Sequence, residues 1–474
     1  MNKQPNQIQA KMFSEIADRS LFEKVTSYGN DFIEKVFERH VAPLDKALEM
    51  LSAFDEDLPE KPGNSHEIID LLQTKGAPNT MPHIGGRYFG FVTGGVVPAG
   101  LAAKGLASFW DQNSALQIMS PISSKLESVV QRWLVDLFGL PDKTVAGFVS
   151  GTSMANFCGL AAARYRILKR NHWDINEKGL FGAPKIRVVT GKHAHSTILK
   201  AISLVGLGKE NIEWVDVDQQ GRICVDKIPE LDENTILILQ AGNVNSGAFD
   251  DFETLFKEIP TNGAWVHIDG AFGLWAAGTE RLQHLTKGFE QANSWAVDAH
   301  KTLNVPYDSG IVLCNDSEAL TSAFHMNAGY IVTGQERDGM FFTPEMSRRS
   351  RAIELWATLK YLGRTGIDDM IFEMHQRAKQ FAQLISKVDG FQVLNDVVFN
   401  QVIVQCESDE LTDKTLKKIQ ELRDCWVGGS TWNGRKVIRI SVCSWATTEK
   451  DIVRSINSFK QALDSIQDKK TKIN

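Results

Sequence analysis

The sequence contains no long apolar run, no cysteine pairs at metal-ligand spacing and no extended basic block. No stretch approaches the ~18 apolar residues that cross a bilayer, and the N-terminal stretch lacks the apolar core of a signal peptide. The six scattered cysteines favour a reducing compartment over a disulfide framework or a zinc ribbon. With a net charge of −6, the chain offers little to a phosphate backbone. We therefore expect a cytoplasmic protein that binds neither membrane nor nucleic acid.

The 474 residues, 43% of them hydrophobic, suit one large folded domain with smaller ones beside it. Residues 7 to 75 show helical periodicity. Beyond residue 144, short β-branched runs such as "TILILQ" alternate with helical segments, which favours a mostly parallel sheet flanked by helices. We expect an N-terminal helical segment (1–80), a large α/β domain (81–375) and a small C-terminal α/β domain (376–474).

The stretch "FVSGTSMANFCG" predicts a strand, a turn of small residues and a helix. The free N–H groups and positive dipole end of such a helix suit a phosphate, although a Ser or Thr there could simply cap the helix. The spacing matches neither a Walker loop nor G-x-G-x-x-G. The serine also falls one position too late for the nucleophile elbow of a serine hydrolase.

Two charged residues lie at or just after the ends of predicted strands. Asp269 ends the apolar strand "WVHID", and Lys301 comes three residues after "SWAVD". A buried carboxylate needs a partner, which could be an ordinary salt bridge, and most lysines are surface groups. Together with the turn at 150–153, however, they lie at the strand ends where α/β sheets bind ligands. The combination matches pyridoxal 5′-phosphate (PLP): a lysine for the aldehyde, a carboxylate for the ring nitrogen and a helix start for the phosphate.

These motifs together resemble the group II PLP-dependent amino acid decarboxylases, a family of fold type I, over about residues 80 to 445. The stretch "DAHK" is similar to the family's N-x-H-K motif, with Asp298 in place of asparagine. The resemblance implies that Lys301 forms the Schiff base, Asp269 pairs with the ring nitrogen and His195 stacks on the ring. It also implies the fold type I architecture, with a large domain and a smaller C-terminal domain.

The resemblance implies further cofactor contacts, some to the phosphate and some near the 3′-hydroxyl of the ring. Those to the phosphate are Ser153, Met154, Ser294 and His300. Those near the 3′-hydroxyl are Asn245 and Ser246, for which a plain polar turn is the alternative. Because no third ligand accompanies His193 and His195 at suitable spacing, we do not expect a metal site.

Substrate contacts also follow from the resemblance. Tyr330, which lies 330 − 301 = 29 positions after the lysine, matches a loop tyrosine that protonates the substrate carbon once CO2 has left. Arg439 matches an arginine that reaches the α-carboxylate, which suits its planar, always-charged fork. Phe91 and Thr93 fall where aromatic decarboxylases carry a different side-chain pocket, which argues against an aromatic substrate. The segment at 110–121 resembles one that a neighbouring subunit contributes.

The sequence therefore predicts a homodimeric decarboxylase with shared active sites, which converts an L-amino acid to its amine and CO2. Either Tyr330 or His195 returns the proton. Three alternatives stay open: an aminotransferase, a carbon–carbon or carbon–sulfur lyase, and a weakly catalytic binding protein on the same scaffold. No spacing argument identifies the substrate side chain.

Overall fold

Two β-sheets organise this protein, whose computed structural model describes residues 6–325 and 336–471. The helices are α1 Gln7–Ile16, α2 Arg19–Val36, α3 Asp45–Glu49, α4 Ser65–Leu71, α5 Pro98–Trp110, α6 Pro121–Phe138, α7 Thr152–Arg170, α8 Ile175–Lys178, α9 Ser196–Leu204, α10 Phe252–Glu258, α11 Ser317–Ala323, α12 Ala352–Ile385, α13 Asp409–Leu422 and α14 Glu449–Thr471. The strands are β1 Val145–Val149, β2 Arg187–Gly191, β3 Ile212–Val215, β4 Thr235–Gln240, β5 Trp265–Asp269, β6 Ser294–Asp298, β7 Gly310–Cys314, β8 Gln392–Val393, β9 Gln401–Gln405, β10 Gly428–Trp432 and β11 Arg435–Ser441.

The larger sheet has the strand order β1-β7-β6-β5-β4-β2-β3. All its strand pairs are parallel except the two that involve β7. Every residue of β4, β5 and β6 is buried, because helices cover both faces of the sheet. Helices α7, α9 and α11 pack on one face, whereas α6, α10 and the first half of α12 pack on the other. The predicted α/β class with a mostly parallel sheet is confirmed.

The smaller sheet is antiparallel, with the strand order β10-β11-β9-β8. It shares a core with α13, α14 and the second half of α12. The side chains of α12 change from the first core to this one between Ile371 and Met374, close to the expected boundary at 375. Since the helix continues through that point, we propose that α12 belongs to both domains.

The N-terminal helices pack loosely within the described part of the chain. There, α1 contributes no buried residue and α2 contributes one, Val36. Apolar side chains such as Phe13 and Ile16 remain exposed on these helices. A search of the described residues for helices long and apolar enough to cross a membrane found none.

Asn304 holds the two domains together around the loop that follows β6. Its Oδ1 accepts the backbone N–H groups of Gly95 (2.9 Å) and Trp445 (3.0 Å). Its Nδ2 donates to the carbonyls of Lys301 (3.0 Å) and Cys443 (2.9 Å). The backbone of Asn304 is left-handed (φ 57°), a conformation that asparagine tolerates better than most residues. One buried side chain thus joins three distant segments at Lys301.

Asn304→Ala should lower the free energy of unfolding by about 3 kcal/mol, because two backbone N–H groups lose their acceptor and each such loss costs ~1–3 kcal/mol. Urea unfolding followed by tryptophan fluorescence measures this. Asn433→Ala is the control, because Asn433 also has a positive φ (48°) but is exposed, so about 1 kcal/mol is expected. Equal losses in the two variants would show that backbone conformation, not the bridge, carries the effect.

Candidate active site

The candidate site lies where β4, β5 and β6 end and α7 begins. Asp269 is the last residue of β5 and Asp298 is the last residue of β6. The register pairs Asp269 with Ala296, and neighbouring parallel strands end at the same edge of a sheet. Lys301 follows three residues after β6, and the charges of both carboxylates act on it. The structure thus brings the predicted Asp269 and Lys301 together and adds Asp298.

Lys301 and Asp298 form an ion pair, with Nζ 2.8 Å from Oδ2; the Asp298 side chain is buried and the Lys301 side chain is 20% exposed. Burial by itself would lower the pKa of Lys301, but the charge of Asp298, the hydrogen bond to it and the charge of Asp269 together outweigh burial, and the pKa is raised. Burial would likewise raise the pKa of Asp298, yet Lys301 and His300 hold it below its usual range. Both partners are therefore charged at neutral pH.

Asp269 is 4% exposed and receives two hydrogen bonds on its carboxylate. Asn156 Nδ2 on α7 donates to Oδ2 (3.2 Å), and the Ala271 N–H donates to Oδ1 (3.2 Å). Burial raises the pKa of Asp269, while the nearby His195 and Lys301 oppose the rise. A carboxylate held in this way is suited to pair with a cation that enters the site.

A chain of buried polar groups continues behind Asn156. Its Oδ1 lies 3.0 Å from His267 Nε2, and His267 Nδ1 lies 2.8 Å from Ser294 Oγ, which accepts from Trp265 Nε1 (2.9 Å). Burial lowers the pKa of His267 to about 3, so its ring is neutral. Since Asn156 donates to Asp269, its oxygen must accept from Nε2–H, and the Ser294 hydroxyl must donate to Nδ1. Each hydrogen bond of this polar network therefore has one defined donor and one defined acceptor, from Trp265 through to Asp269.

His195 lies at the start of α9, where it caps the helix. Its Nδ1 accepts from the Thr197 N–H (3.3 Å), so Nε2 carries the proton. Burial lowers the pKa of His195 and leaves the ring neutral, while the charges of Asp269, Lys301 and Arg439 also act on it. The structure brings His195 into the cluster, as predicted.

The start of α7 has the features of an anion seat. The hydroxyls of Thr152 and Ser309 are buried without a hydrogen-bond partner among the described residues. Gly310 lies so close to Gly151 that any side chain at 310 would overlap with the backbone there. His300 borders the seat, because its Nδ1 accepts the Ser309 N–H (3.0 Å) and its Nε2–H points towards Asp298 (3.6 Å). Two orphaned hydroxyls, an imidazole N–H and a helix start fit a phosphate.

The residues expected to hold the phosphate differ in position. Ser153 is exposed at the start of α7, next to this seat. The Met154 side chain packs against the core, and its N–H already donates to the Gly151 carbonyl (2.9 Å), so only its backbone borders the seat. Ser294 is not in the site. It begins β6, about 13 Å along the strand from Asp298, and lies beneath Gly159 in the middle of α7.

The loop after β4 connects the two domains. Ser246 is fully buried and its hydroxyl donates to the Gln220 carbonyl (2.5 Å), so the expected contact of this side chain with the cofactor is wrong. Asn245 Oδ1 accepts from Ser430 Oγ (2.7 Å) on β10. Arg439 on β11 donates from Nη1 to the Val244 carbonyl (3.1 Å). The loop therefore fastens the small domain against the site.

Arg439 has spare hydrogen-bonding capacity. The side chain is half-buried, and its Nε has no hydrogen-bond partner among the described residues. Burial lowers the pKa of Arg439, but a guanidinium remains charged in proteins. The predicted Tyr330 lies outside the described residues.

The segment that carries Phe91 and Thr93 borders Lys301 from the other side. Phe91 is 68% exposed, whereas the Thr93 side chain interacts with Tyr307 and partly opposes the burial that raises the pKa of Tyr307. Gly94 packs directly on the Lys301 carbonyl, where a side chain would overlap with the backbone. Thr93 therefore lies beside the site, and the Phe91 side chain points away from the core.

Sequence reasoning missed Asn156, His267 and Ser309, included Thr152 only as part of the turn at 150–153, and assigned no role to Asp298. One signal was available for His267, because alternate residues of a strand share a face and place it beside Asp269. The helix repeat likewise puts Asn156 four residues after Thr152 on one face of α7. Nothing in the sequence pointed to Ser309.

The chain belongs to the pyridoxal-dependent decarboxylases, because the model of the pyridoxal-dependent decarboxylase conserved domain matches residues 48–406. It is accordingly a PLP-dependent carboxy-lyase that decarboxylates an L-amino acid. The aromatic-L-amino-acid decarboxylase of Bacillus atrophaeus is 26% identical over 435 residues, 87% of this chain and 88% of that protein. The mouse acidic amino acid decarboxylase GADL1 is 24% identical and covers 82% of this chain and 72% of its own length.

Solved structures show the same fold. Mouse CSAD superposes with a TM-score of 0.86 at 19% identity, over 94% of this chain and 98% of its own. Oryza sativa TDC, solved with PLP and tryptamine, gives a TM-score of 0.85 at 20% identity, over 94% and 98%. The predicted fold type I architecture and PLP dependence are confirmed.

Asn156→Leu should weaken PLP binding about tenfold or more, because a hydrogen bond to a charged group contributes ~1.5–3 kcal/mol. Titration of the cofactor-free protein with PLP, followed by visible absorbance, gives the Kd. Asn171→Ala is the matched control at the other end of α7, where Asn171 bonds to the Ile167 carbonyl and Asn234. An unchanged Kd in a folded Asn156→Leu protein would show that Asp269 needs no support from α7.

Proposed function

We propose that Lys301 binds the aldehyde of PLP, Asp269 pairs with the ring nitrogen and His195 packs on the ring. The observation that carries this assignment is the meeting of a largely buried lysine, a buried carboxylate and an anion seat at one sheet edge. PLP, when bound, accepts the electrons released as the bond between the α-carbon and CO2 breaks. Asp269 keeps the proton on the ring nitrogen, since opposite charges ~4 Å apart attract by about 4 kcal/mol at an effective dielectric of ~20.

The phosphate is held, in this proposal, by the start of α7. Hydroxyl groups come from Thr152, Ser153 and Ser309. The backbone of Met154 borders the phosphate, and His300 donates from Nε2–H. Asn245 lies further out and borders the ring through its free amide nitrogen. Neutral hydrogen-bond donors and the helix dipole together suit a dianion at a buried place.

Arg439 binds the α-carboxylate of the substrate in this proposal. Its unpartnered Nε and planar fork suit a carboxylate better than they suit the single backbone carbonyl it now contacts. Thr93 and Phe91 line the approach for the substrate side chain. Tyr330 donates the proton to the α-carbon after CO2 leaves, with His195 Nε2–H as the alternative donor. Both routes give an amine and not an aldehyde.

The purified protein with PLP should release CO2 and form one amine when offered a panel of L-amino acids. The panel must include acidic and aromatic members, because the relatives are named for both classes. Lys301→Ala should reduce turnover to background, while Lys192→Ala, which removes an exposed lysine, should not. Keto acid without CO2 would identify an aminotransferase, and aldehyde would contradict the role of Tyr330.

A second copy of this chain covers an exposed apolar surface, in our proposal. This apolar patch comprises Leu106, Phe109, Trp110, Ile118, Met119 and Ile122, each at least 42% exposed. The Phe109 ring contacts Phe22 of α2 (5.5 Å between centroids), so the patch continues onto the N-terminal helices. Monomers rarely expose so large an apolar surface, and a twofold axis buries the same patch twice. Residues 110–121 would then border the active site of the partner.

Light scattering should give about twice the 52.8 kDa chain mass at micromolar concentration. Phe109→Glu combined with Ile118→Glu should shift the protein towards the single-chain mass, because two charges would be buried at the interface. Phe181→Glu, at an exposed apolar residue outside the patch, should leave the mass unchanged. A single-chain mass for the unaltered protein would contradict the dimer.

We also place the protein in the cytoplasm. All six cysteines lie within the described residues and are unpaired, and five of them are buried. Unpaired thiols on this scale favour a reducing compartment.

A further inference from the structure

Asp298 links two parts of the site that are otherwise separate. Its Oδ2 lies 2.8 Å from Lys301 Nζ and 3.6 Å from His300 Nε2. Its Oδ1 accepts the Thr152 N–H at 2.6 Å. The side chain is 3% exposed. One buried carboxylate thus contacts both the reactive lysine and the first turn of α7.

The contact with Thr152 replaces a missing helix cap. The residue before α7 is Gly151, which has no side chain to accept an N–H, so the cap comes from the end of β6. An asparagine at 298 could accept the same N–H with its side-chain oxygen. It could not neutralise an ammonium, because it carries no charge. The two contacts of Asp298 can therefore be separated by one isosteric substitution.

Lys301 is surrounded by few charges. His300 and Asp298 face it from its own loop, Asp269 from β5 and the Cys443 thiol from the segment after β11. His195 is also near, because the charges of both Lys301 and Arg439 act on it. Burial lowers the pKa of both His195 and His300, and it raises the pKa of Cys443 to about 12, so these three groups are neutral. Of the two carboxylates, Asp298 is the one in direct contact with Nζ.

We propose that Asp298 is a positioning residue that holds Lys301 as an ammonium before PLP binds and so sets the pH at which the lysine becomes a nucleophile. The inference rests on the proposed role of Lys301. For the reaction, Nζ first gives a proton to solvent. The neutral nitrogen then forms a C=N bond with the aldehyde carbon, and the carbonyl oxygen leaves as water. Loss of this proton breaks the ion pair with Asp298, so the ion pair opposes the formation of the neutral amine.

The test follows C=N formation in the full-length protein freed of cofactor, without any substrate. PLP or unphosphorylated pyridoxal is added between about pH 6 and about pH 10, and the initial rate of the visible absorption band is recorded. In Asp298→Asn the midpoint of the rate profile should fall by about one pH unit or more, which is a rate about tenfold higher at a fixed pH below the midpoint. Asp298→Glu, which restores the charge, should keep the midpoint near the wild-type value.

Control variants distinguish a failure of the proposal for Asp298 from a failure of the role assigned to Lys301. Asp216→Asn, at an exposed carboxylate that pairs with Lys192, should leave the profile unchanged. Superimposable profiles for wild type and Asp298→Asn would overturn the proposal. So would a shift seen with PLP but absent with pyridoxal, because the carboxylate would then act on the phosphate. Lys301→Ala should form no band; a wild-type band there would instead refute the role of Lys301.

Discussion

The shared edge at which β4, β5 and β6 end decides where Asp269, Asp298 and Lys301 lie. Backbone hydrogen bonds pair Gln240 with Asp269 and Asp269 with Ala296. Because side chains alternate across a strand, a slip of one residue would turn Asp269 away from α7 and from Asn156. The large sheet is buried on both faces, so its register is strongly specified by packing. The positions of these charged groups therefore depend on an apolar core to which they do not themselves belong.

The small domain completes the site and does not merely accompany it. Asn304 binds Gly95 and the segment after β11, while Arg439 reaches from β11 to the loop after β4. Gly94 packs against the Lys301 backbone so closely that only glycine fits. The backbone around Lys301 is consequently held by contacts from three parts of the chain.

Charge in the site is nearly balanced before any ligand enters. Two buried carboxylates, Asp269 and Asp298, face two cations, Lys301 and Arg439. Burial lowers the pKa of all three nearby histidines, so they contribute shape and directed N–H groups instead of charge. Buried charges are costly unless they are paired, which explains why each carboxylate also receives backbone or amide N–H groups. A ligand that enters the site must replace these ion pairs and hydrogen bonds with contacts to its own charged groups.

The sequence by itself determined the fold class and pointed to two charged residues at the strand ends. Alternation of β-branched runs with helices predicted the sheet, and strand ends identified Asp269 and Lys301, because those ends follow directly from local pattern. Only the tertiary structure decided which polar residues meet them. Ser294 is close to Lys301 in sequence yet lies at the wrong end of β6, while Asn156 is distant in sequence yet contacts Asp269. These contacts depend on how α7 and the small domain pack on the sheet. Periodicity shows which side chains share one face of a helix or strand, but not what that face packs against.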